Sequence, residues 1–317
     1  MPNLLSPKCI SPLSSKISIC IPVKNPGRFF EPLLESISRQ NVPAGWSLEV
    51  VFLNSGEKLP PPKNGELSRK EVMVNPETFN HGATRNLGVK ECTGEIIVFT
   101  VQDACFLGQD LINEVVLSFQ KHPEIVAVSG YQSVPWKKEN HPAKWFRPQN
   151  AGTLKLKRKP ANWAQMGYME KRSFCSLDNV ICSYKRKELE LFPFEATMYG
   201  EDITWGKSAI QRGAALGFHG GIRVWHYHQE TLAYIRNRLK CTHYIESKLF
   251  GTSYLKMRLP ELKNYYLIFF KSRKLNVLQR ILWALKEFRN YLWIQTLILT
   301  NDHKVSPTII KIGNQKG

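Results

Sequence analysis

The chain has 317 residues and a formal net charge of +18, and 43% of its residues are hydrophobic. That length suffices for one large α/β domain with an appended helical segment, and the hydrophobic content suffices for a core. The seven cysteines are odd in number and form no Cys-x-x-Cys pair, so we expect free thiols and a reducing cytoplasm.

Neither end of the chain predicts a targeting or membrane-spanning segment. Residues 1–15 are rich in Pro and Ser and lack the basic start and apolar centre of a signal peptide. The apolar stretches at 265–270 and 291–300 are shorter than the roughly 20 residues that span a bilayer. We therefore expect neither secretion nor an integral membrane protein.

The positive charge is concentrated in two zones. Residues 231–317 hold 16 Lys and Arg against 4 Asp and Glu, and residues 137–172 hold 10 against 2. A local excess of this kind argues for an anionic surface partner, either acidic lipid headgroups or nucleic acid. Because no helix-turn-helix, zinc finger or RNA-binding signature accompanies it, nucleic acid is the weaker expectation.

The first hundred residues alternate between predicted strands and helices. Strands are predicted at 16–23, 48–53, 71–74 and 95–100, and helices at 27–40 and 84–92. This alternation predicts a parallel sheet with helices on both faces, and ligands then bind beyond the carboxyl ends of the strands.

The remainder of the chain is less regular. A helix is predicted at 111–121, a strand at 125–131 and a helix at 204–212, whereas residues 135–172, with four prolines and a basic run, predict a long basic loop. From residue 234 onward the pattern is helical and basic. One apolar stripe runs along it, formed by Leu278, Ile281, Leu285, Phe288 and Leu292.

The most informative stretch is Phe-Asn-His-Gly-Ala-Thr-Arg-Asn at 79–86, followed by the apolar run 96–99 and then by Gln102 and Asp103. A carboxylate at the end of a buried strand, shortly after a helix start that bears His and Arg, can hold a metal ion and a diphosphate together. The pattern predicts a sugar-nucleotide site.

These motifs occur in the order seen in glycosyltransferase family 2, and the chain most resembles its rhamnosyltransferase-like members. The blocks that carry the resemblance are 17–25, 79–86, 102–104, 200–202 and 226–228. The resemblance covers roughly residues 16–250. It implies an α/β fold of the GT-A type, with a mixed, mostly parallel sheet flanked by helices and a C-terminal helical extension.

The resemblance also implies a division of the chain. We expect a flexible segment at 1–15, a catalytic domain at 16–230 and a basic amphipathic helical extension at 231–317. Within the catalytic domain, 16–134 is the nucleotide-binding half, 135–172 the basic loop and 173–230 the acceptor-side half.

Asp103 is the candidate metal ligand at the end of the fourth strand. Relatives commonly carry Asp-x-Asp there, whereas this chain has Val101-Gln102-Asp103, which leaves one carboxylate. The alternative is that Asp103 caps the following segment. The expected cofactor is a divalent metal ion, Mn²⁺ or Mg²⁺.

His226 and His228 are the candidates for completing the metal site. They are two residues apart after a predicted strand and would point to the same side, and imidazole suits Mn²⁺ better than Mg²⁺. The resemblance implies a histidine ligand at about this place. We favour His226, and which of the two binds stays open.

Glu201 and Asp202 follow Gly200 at a predicted helix start, a place that the helix dipole by itself favours for carboxylates. The resemblance implies that Asp202 is the general base of a single displacement that inverts the anomeric configuration. Glu201 is then a supporting or acceptor-orienting residue.

Binding of the donor diphosphate is expected at the start of the second predicted helix. His81 and Arg85 flank the start of the second helix, where side-chain and backbone donors can meet a diphosphate, and Gly82 would permit close backbone approach. The alternative is an ordinary capped helix start with an exposed Arg.

The nucleotide pocket is expected at the ends of the first, second and fourth strands. Its candidate residues are Pro22, Lys24, Asn25, Asn54 and Gln102. Relatives usually carry an acidic residue where this chain has Asn54, so the donor base stays open.

Acceptor recognition has the aromatic candidates Trp205 and Trp163, whose faces can stack on sugar rings, and the polar candidate Asn179. Core packing explains a Trp on a helix equally well. The basic C-terminal helices, with Trp283 and Trp293, either lie on an anionic membrane surface or pack on the catalytic domain.

The expected function is an inverting glycosyltransferase that moves a sugar from a nucleotide-diphosphate donor to a saccharide acceptor, lipid-linked and destined for a surface polysaccharide. Rhamnose follows from the resemblance, and other hexoses remain alternatives. The expected location is cytoplasmic, peripheral on the inner face of the cytoplasmic membrane. A catalytically impaired GT-A-like protein that binds glycans or partners is the alternative from another class.

Overall fold

The computed structural model describes residues 15–61, 67–137, 140–146, 153–227, 232–252 and 262–299. Within these ranges, nine strands form one sheet. Their bounds in chain order are β1 Ser15–Val23, β2 Trp46–Asn54, β3 Arg69–Met73, β4 Ile96–Thr100, β5 Cys105–Phe106, β6 Ile125–Ser133, β7 Leu154–Lys157, β8 Ile181–Lys185 and β9 Ala215–Trp225.

Helices cover both faces of this sheet. Their bounds are α1 Phe30–Ser38, α2 His81–Glu91, α3 Leu111–Lys121, α4 Tyr168–Cys175, α5 Arg186–Leu191, α6 Glu201–Gln211, α7 Leu232–Phe250, α8 Leu262–Tyr266 and α9 Val277–Leu299. Within the described ranges, no helix combines the length and the apolarity needed to cross a membrane.

The strand order is β3-β2-β1-β4-β8-β6-β9-β5, with β7 paired to β9. Strands β1 to β4 are mutually parallel, as expected for the first hundred residues. Strand β8 runs antiparallel to both β4 and β6, and β9 runs parallel to β6. The carboxyl ends of β4, β6 and β9 therefore meet the amino end of β8 at one edge of the sheet.

The core lies on both faces of the sheet because successive strand residues point to opposite sides. In β4, Ile96 and Val98 join the cluster that includes residues of α1 and α3. Ile97 and Phe99 join the opposite cluster, with residues of α6. A strand that is apolar at every position is typical of a sheet covered on both faces.

The prediction that 135–172 is one long loop was wrong, because strand β7 lies within it and helix α4 begins within it. Lys157 explains how a basic segment can form part of the sheet. Its ammonium group lies over the rings of Phe218, at 4.4 Å, and Phe174, at 5.6 Å, and cation–π contact stabilises it there. The charge of the segment concealed its alternation of Leu and Lys.

Helix α9 carries the apolar stripe on its outer side. Its five residues, Leu278, Ile281, Leu285, Phe288 and Leu292, are between 43% and 65% exposed. On the inner side, the fully buried Ile294 packs on Leu239 of α7. The described part of the chain therefore leaves about half of the stripe's surface exposed.

Candidate functional site

Asp103 and His226 face each other at the edge where β4 and β9 end. Asp103 lies in the turn after β4, and His226 directly follows β9. Their side chains are 18% and 14% exposed, and Nε2 of His226 lies 3.3 Å from Oδ1 of Asp103. The structure thus brings together the two residues favoured from sequence as metal ligands, and His228 lies outside the described residues.

This pair offers a carboxylate oxygen and an imidazole nitrogen, a donor set that suits Mn²⁺ and related ions. Within the described ranges, no group of three or more His, Cys, Asp and Glu side chains is arranged to hold a metal ion. Two protein ligands leave coordination positions for water and for phosphate oxygens of a donor, which is how phosphate-bound divalent ions are commonly held. The residues present therefore fit a shared metal ion.

Two polar residues that the sequence analysis did not single out join the pair. The side-chain oxygen Oε1 of Gln132, in β6, lies 2.9 Å from Nδ1 of His226, and Nε2 of Gln132 donates to Oδ2 of Asp178 at 2.5 Å. Gln132 closely follows a predicted buried strand, which is the signal that pointed to Asp103. Because β6 lies far from β4 in sequence, that signal alone did not place it at the same site.

Glu201 and Arg85 form a buried ion pair at the base of the cleft. Oε1 of Glu201 lies 2.9 Å from Nη1 of Arg85, and their side chains are 7% and 4% exposed. Asn179 Nδ2 also donates to Glu201 Oε1, at 3.0 Å. Burial by itself would raise the pKa of Glu201, but Arg85, His81 and Asn179 outweigh it and hold that pKa below its usual value.

Asp202 follows Glu201 in the first turn of α6, which begins after Gly200 in the left-handed region at φ 73°. Its Oδ2 accepts from the backbone N–H of Asn179 at 3.2 Å, and its Oδ1 accepts from that of Ile203 at 2.7 Å. Burial, with the neighbouring charges of Glu201 and Asp178, raises the pKa of Asp202 to about 8. A carboxylate in this environment is a far stronger base than an exposed one.

The structure changes the predicted role of Arg85. Its guanidinium group is engaged by Glu201 and by His81, whose Nδ1 lies 3.2 Å from Nη1. The sequence predicts that this group either meets the donor diphosphate or is exposed. It lies on the cleft wall, where its contacts fix Glu201.

Gly82 has a packing reason to be glycine. A Cβ atom there would lie 1.9 Å from the carbonyl oxygen of Glu195, and the Gly82 N–H donates to the carbonyl of Thr197 at 3.2 Å. The close approach is thus to the loop before α6. Asn80 caps α2 by accepting from Ala83 N–H at 3.0 Å, and His81 is left lining the cleft.

The strand-end residues expected at the nucleotide pocket are tied to one another. The backbone N–H of Lys24 donates to Oε1 of Gln102 at 2.6 Å, which joins the ends of β1 and β4. Asn25, with φ at 47°, accepts from the backbone of Glu57 at 2.8 Å. Pro22 is half-buried within β1. These contacts shape the rim where the resemblance places the nucleotide.

Asn54 does not offer its amide to a nucleotide base as expected. It is fully buried, and its Nδ2 donates to the carbonyl of Glu57 and to Oε1 of Glu71, each at 2.6 Å. Its Oδ1 accepts from Gly56 N–H at 2.8 Å. Asn54 instead fixes the loop after β2 and joins it to β3.

Of the residues expected to bind the acceptor, one lines the cleft and the others do not. Asn179 lines the cleft, but its amide is held by Glu201 and by Tyr184, whose hydroxyl donates to Asn179 Oδ1 at 2.8 Å. Trp205 is only 3% exposed, and its Nε1 donates to the carbonyl of Phe192 at 2.7 Å. The prediction that Trp205 offers a ring face to an acceptor was therefore wrong, because this Trp belongs to the core.

Trp163 is half-buried and packs against the edge of the core. Its ring meets that of Phe174 edge-on at 6.1 Å, and it is not among the residues that line the cleft in the described part of the chain.

The cleft itself has a volume of about 710 Å³ and opens between the sheet edge and α7. Asp103, His226, Gln132, Asp178, Glu201 and Asp202 all line it. The α7 wall adds polar and aromatic groups that the sequence analysis did not assign to the site: Tyr234, Asn237, Arg238 and Thr242. One side of the cleft thus carries Asp202 and the pair Asp103 and His226, and the other carries polar and aromatic side chains of α7.

The family profile described as Glycosyl transferase family 2 matches residues 18–178 of the chain. The chain belongs to glycosyltransferase family 2. This glycosyltransferase is 31% identical over 222 residues to the O-antigen chain rhamnosyltransferase RfbN of Salmonella typhimurium, and the match covers 68% of each chain. It is 30% identical over 164 residues to the O-antigen chain rhamnosyltransferase WbaN of Salmonella anatum, covering half of each chain.

Solved structures have the same fold at low identity. A mannosyltransferase of Pyrobaculum calidifontis, in complex with GDP-Man and Mn²⁺, matches 94% of this glycosyltransferase and 85% of its own chain, with a TM-score of 0.53 and 15% identity. Residues 1–349 of TarS from S. aureus match with a TM-score of 0.52 and 13% identity, over 88% of this chain and 79% of theirs. The predictions of family and of a GT-A fold with a C-terminal helical extension are confirmed.

Proposed function

We propose that this glycosyltransferase transfers a sugar, with rhamnose as the first candidate, from a nucleotide-diphosphate donor to a saccharide acceptor during synthesis of a surface polysaccharide. The two relatives named O-antigen chain rhamnosyltransferases support the sugar and the product class. The observation that carries the proposal is the single cleft that holds Asp202, with its raised pKa, beside the pair Asp103 and His226.

In the proposed reaction, Asp202 accepts the proton of the acceptor hydroxyl as that oxygen bonds to the anomeric carbon. The bond from this carbon to the diphosphate oxygen breaks, and the nucleoside diphosphate leaves with the electron pair. A single displacement of this kind inverts the anomeric configuration. Asn179 holds the first turn of α6 in place, because its backbone N–H donates to Asp202 and its side-chain amide donates to Glu201.

Asp103 and His226 are the residues that would hold a divalent metal ion, Mn²⁺ or Mg²⁺. Such an ion, when bound, offsets the negative charge that develops on the leaving diphosphate. The mannosyltransferase of similar fold was solved with GDP-Man and Mn²⁺, which supports testing Mn²⁺ first.

The first experiment is a thermal-shift panel of nucleoside-diphosphate sugars with and without Mn²⁺ or Mg²⁺, because a ligand that binds the native state stabilises it by mass action. We expect one donor to raise the melting temperature in a metal-dependent manner. Asp103→Ala and His226→Ala should each weaken that shift, while Asp110→Asn, on the exposed start of α3, should leave it unchanged.

Turnover then separates the enzyme from a binding protein. Asp202→Asn should retain the donor-induced shift but lose transfer to a saccharide by about 10² to 10⁴-fold. Substantial residual turnover would contradict the role of Asp202 as base. A wild-type protein that binds glycans yet shifts with no donor would favour the alternative of a catalytically impaired binding protein.

We further propose a cytoplasmic enzyme that lies on the inner face of the cytoplasmic membrane through α9, close to a lipid-linked acceptor. The outer stripe of α9 is apolar and exposed. Exposed Lys and Arg flank it, namely Lys271, Arg273, Lys274, Lys286 and Arg289. An apolar face bordered by cations is typical of helices that bind anionic lipid surfaces. Because α9 packs on α7, docking there would bring the α7 wall of the cleft near the membrane.

Vesicle sedimentation tests this surface. The protein should bind vesicles that contain anionic lipid, bind neutral vesicles more weakly, and lose affinity as salt rises. The double variant Leu285→Ser with Phe288→Ser should lower binding several-fold, whereas Leu191→Ser, which is 70% exposed on α5, should not. Equal binding by the wild type and the double variant would refute the surface.

A further inference from the structure

We propose that Gln132 is a positioning residue that orients His226 as a metal ligand and ties the metal-ligand pair to the carboxylates beside the base. The inference rests on the proposed function, since it takes Asp103 and His226 as the metal site. It adds a residue, and a direction of hydrogen bonding, that the family match does not supply.

The donor and acceptor roles in this series of hydrogen bonds are set first by Asp178. Oδ1 of Asp178 accepts from the backbone N–H of Val180 at 3.1 Å, so the carboxylate is turned with Oδ2 toward Gln132. A carboxylate oxygen accepts hydrogen bonds, and an amide nitrogen donates them. The group of Gln132 that faces Oδ2, at 2.5 Å, is accordingly the Nε2 amide nitrogen.

The orientation of Gln132 then decides the tautomer of His226. With Nε2 turned to Asp178, Oε1 is the atom that lies 2.9 Å from Nδ1 of His226. A carbonyl oxygen accepts, so Nδ1 carries the hydrogen. In the neutral ring this leaves the lone pair on Nε2, the nitrogen a metal requires.

That lone pair faces Oδ1 of Asp103 at 3.3 Å. Two acceptors at this separation repel unless they share a cation. The contacts thus run from Asp178 through Gln132 and His226 to Asp103. At their end, two acceptor atoms, Nε2 of His226 and Oδ1 of Asp103, face the same position. Asp178 is also one of the charges that act on Asp202, so Gln132 bridges the metal side and the base side of the cleft.

The experiment compares the wild type with Gln132→Met, which keeps the length of the side chain and removes both hydrogen bonds. Ser133→Ala is the matched control, because this buried neighbour in β6 has a hydroxyl for which the described residues provide no hydrogen-bond partner. The first readout is the tautomer of His226 in metal-free protein, measured by ¹⁵N NMR of the imidazole and assigned with His226→Gln. The second is the affinity for Mn²⁺ alone, followed by paramagnetic resonance of free Mn²⁺.

We expect wild-type His226 to carry its hydrogen on Nδ1 and the Gln132→Met variant to lose this preference. The variant should also bind Mn²⁺ about 10- to 100-fold more weakly, as is usual when a residue that orients a metal ligand is removed. Ser133→Ala should match the wild type in both. Gln132→Glu keeps an acceptor for Nδ1–H, so it should restore the tautomer and the affinity for Mn²⁺. Because it also sets a second carboxylate against Asp178, its turnover should stay below that of the wild type.

The tautomer is read without metal, donor or turnover, so the inference and the proposed function fail separately. A folded Gln132→Met protein with the wild-type tautomer and Mn²⁺ affinity would overturn the inference. A wild-type protein that turns over no donor would overturn the proposed function, while a change of tautomer in Gln132→Met would still support the positioning of His226.

Discussion

Replacing Asp202 with Asn should make stability less dependent on pH. The ordinary pKa of the Asp carboxyl is 3.8, and in the folded protein that of Asp202 is about 8. Between these values the native state keeps a proton that the unfolded chain has released, so wild-type stability falls as pH rises. Asparagine has no such proton, and the variant escapes this loss.

The magnitude follows from the size of the shift. Each pH unit inside the window changes the difference in unfolding free energy by roughly 1.4 kcal/mol, so from about pH 5 to about pH 7 the variant should gain roughly 3 kcal/mol on the wild type. The amide also sets its NH₂ group against one of the two N–H donors, from Asn179 and Ile203. That cost of about 1–3 kcal/mol does not depend on pH.

Urea unfolding at several pH values, followed by circular dichroism, measures this difference. We expect Asp202→Asn to be near or below the wild type in stability at the acid end and above it near neutrality. Asp110→Asn, at an exposed aspartate at the start of α3, is the control for exchanging Asp for Asn at a position outside the cleft. A flat profile for Asp202→Asn, or one that falls with pH, would refute the reasoning.

Three further substitutions test the contacts that hold the site. Arg85→Met strips the guanidinium from buried Glu201 and should cost about 3–5 kcal/mol of unfolding free energy in urea; a loss below 1 kcal/mol would contradict a buried pair. Gly82→Ala places a methyl group against the carbonyl of Glu195 and should cost about 3 kcal/mol, and an unchanged urea midpoint would argue against this packing. Asn80→Ala removes the cap of α2 and should cost about 1 kcal/mol, which a thermal-unfolding comparison with Asn80→Ser can check, since serine should retain most of the stability.

Much of the first half of the fold was predictable from local pattern. The predicted strand at 95–100 corresponds to β4, and the predicted helix at 111–121 coincides with α3. The first is a continuous apolar run and the second has apolar residues at helical spacing, and both patterns are local properties of the sequence. Strand β7 was missed because its Lys residues read as solvated charge, whereas Lys157 is held between two aromatic rings.

The residues of the site also divide into those that the sequence indicated and those that only the fold brings together. The sequence by itself determined that Asp103 and His226 follow strands and that Asp202 stands at a helix start. The role of Asp202 came from the family resemblance. It also indicated the apolar stripe of α9, because an amphipathic pattern depends on spacing along one helix, whereas the exposure of that stripe came from the structure.

Only the tertiary structure decided which of these groups meet. The antiparallel insertion of β8 between β4 and β6 brings Asp178 and Asn179 to the edge where β4, β6 and β9 end, and no local pattern encodes that neighbour. Burial then decided the roles of two residues. Trp205 lies in the core, and buried Arg85 forms an ion pair with Glu201. A buried charge must find a partner, and that partner is chosen by distance in space.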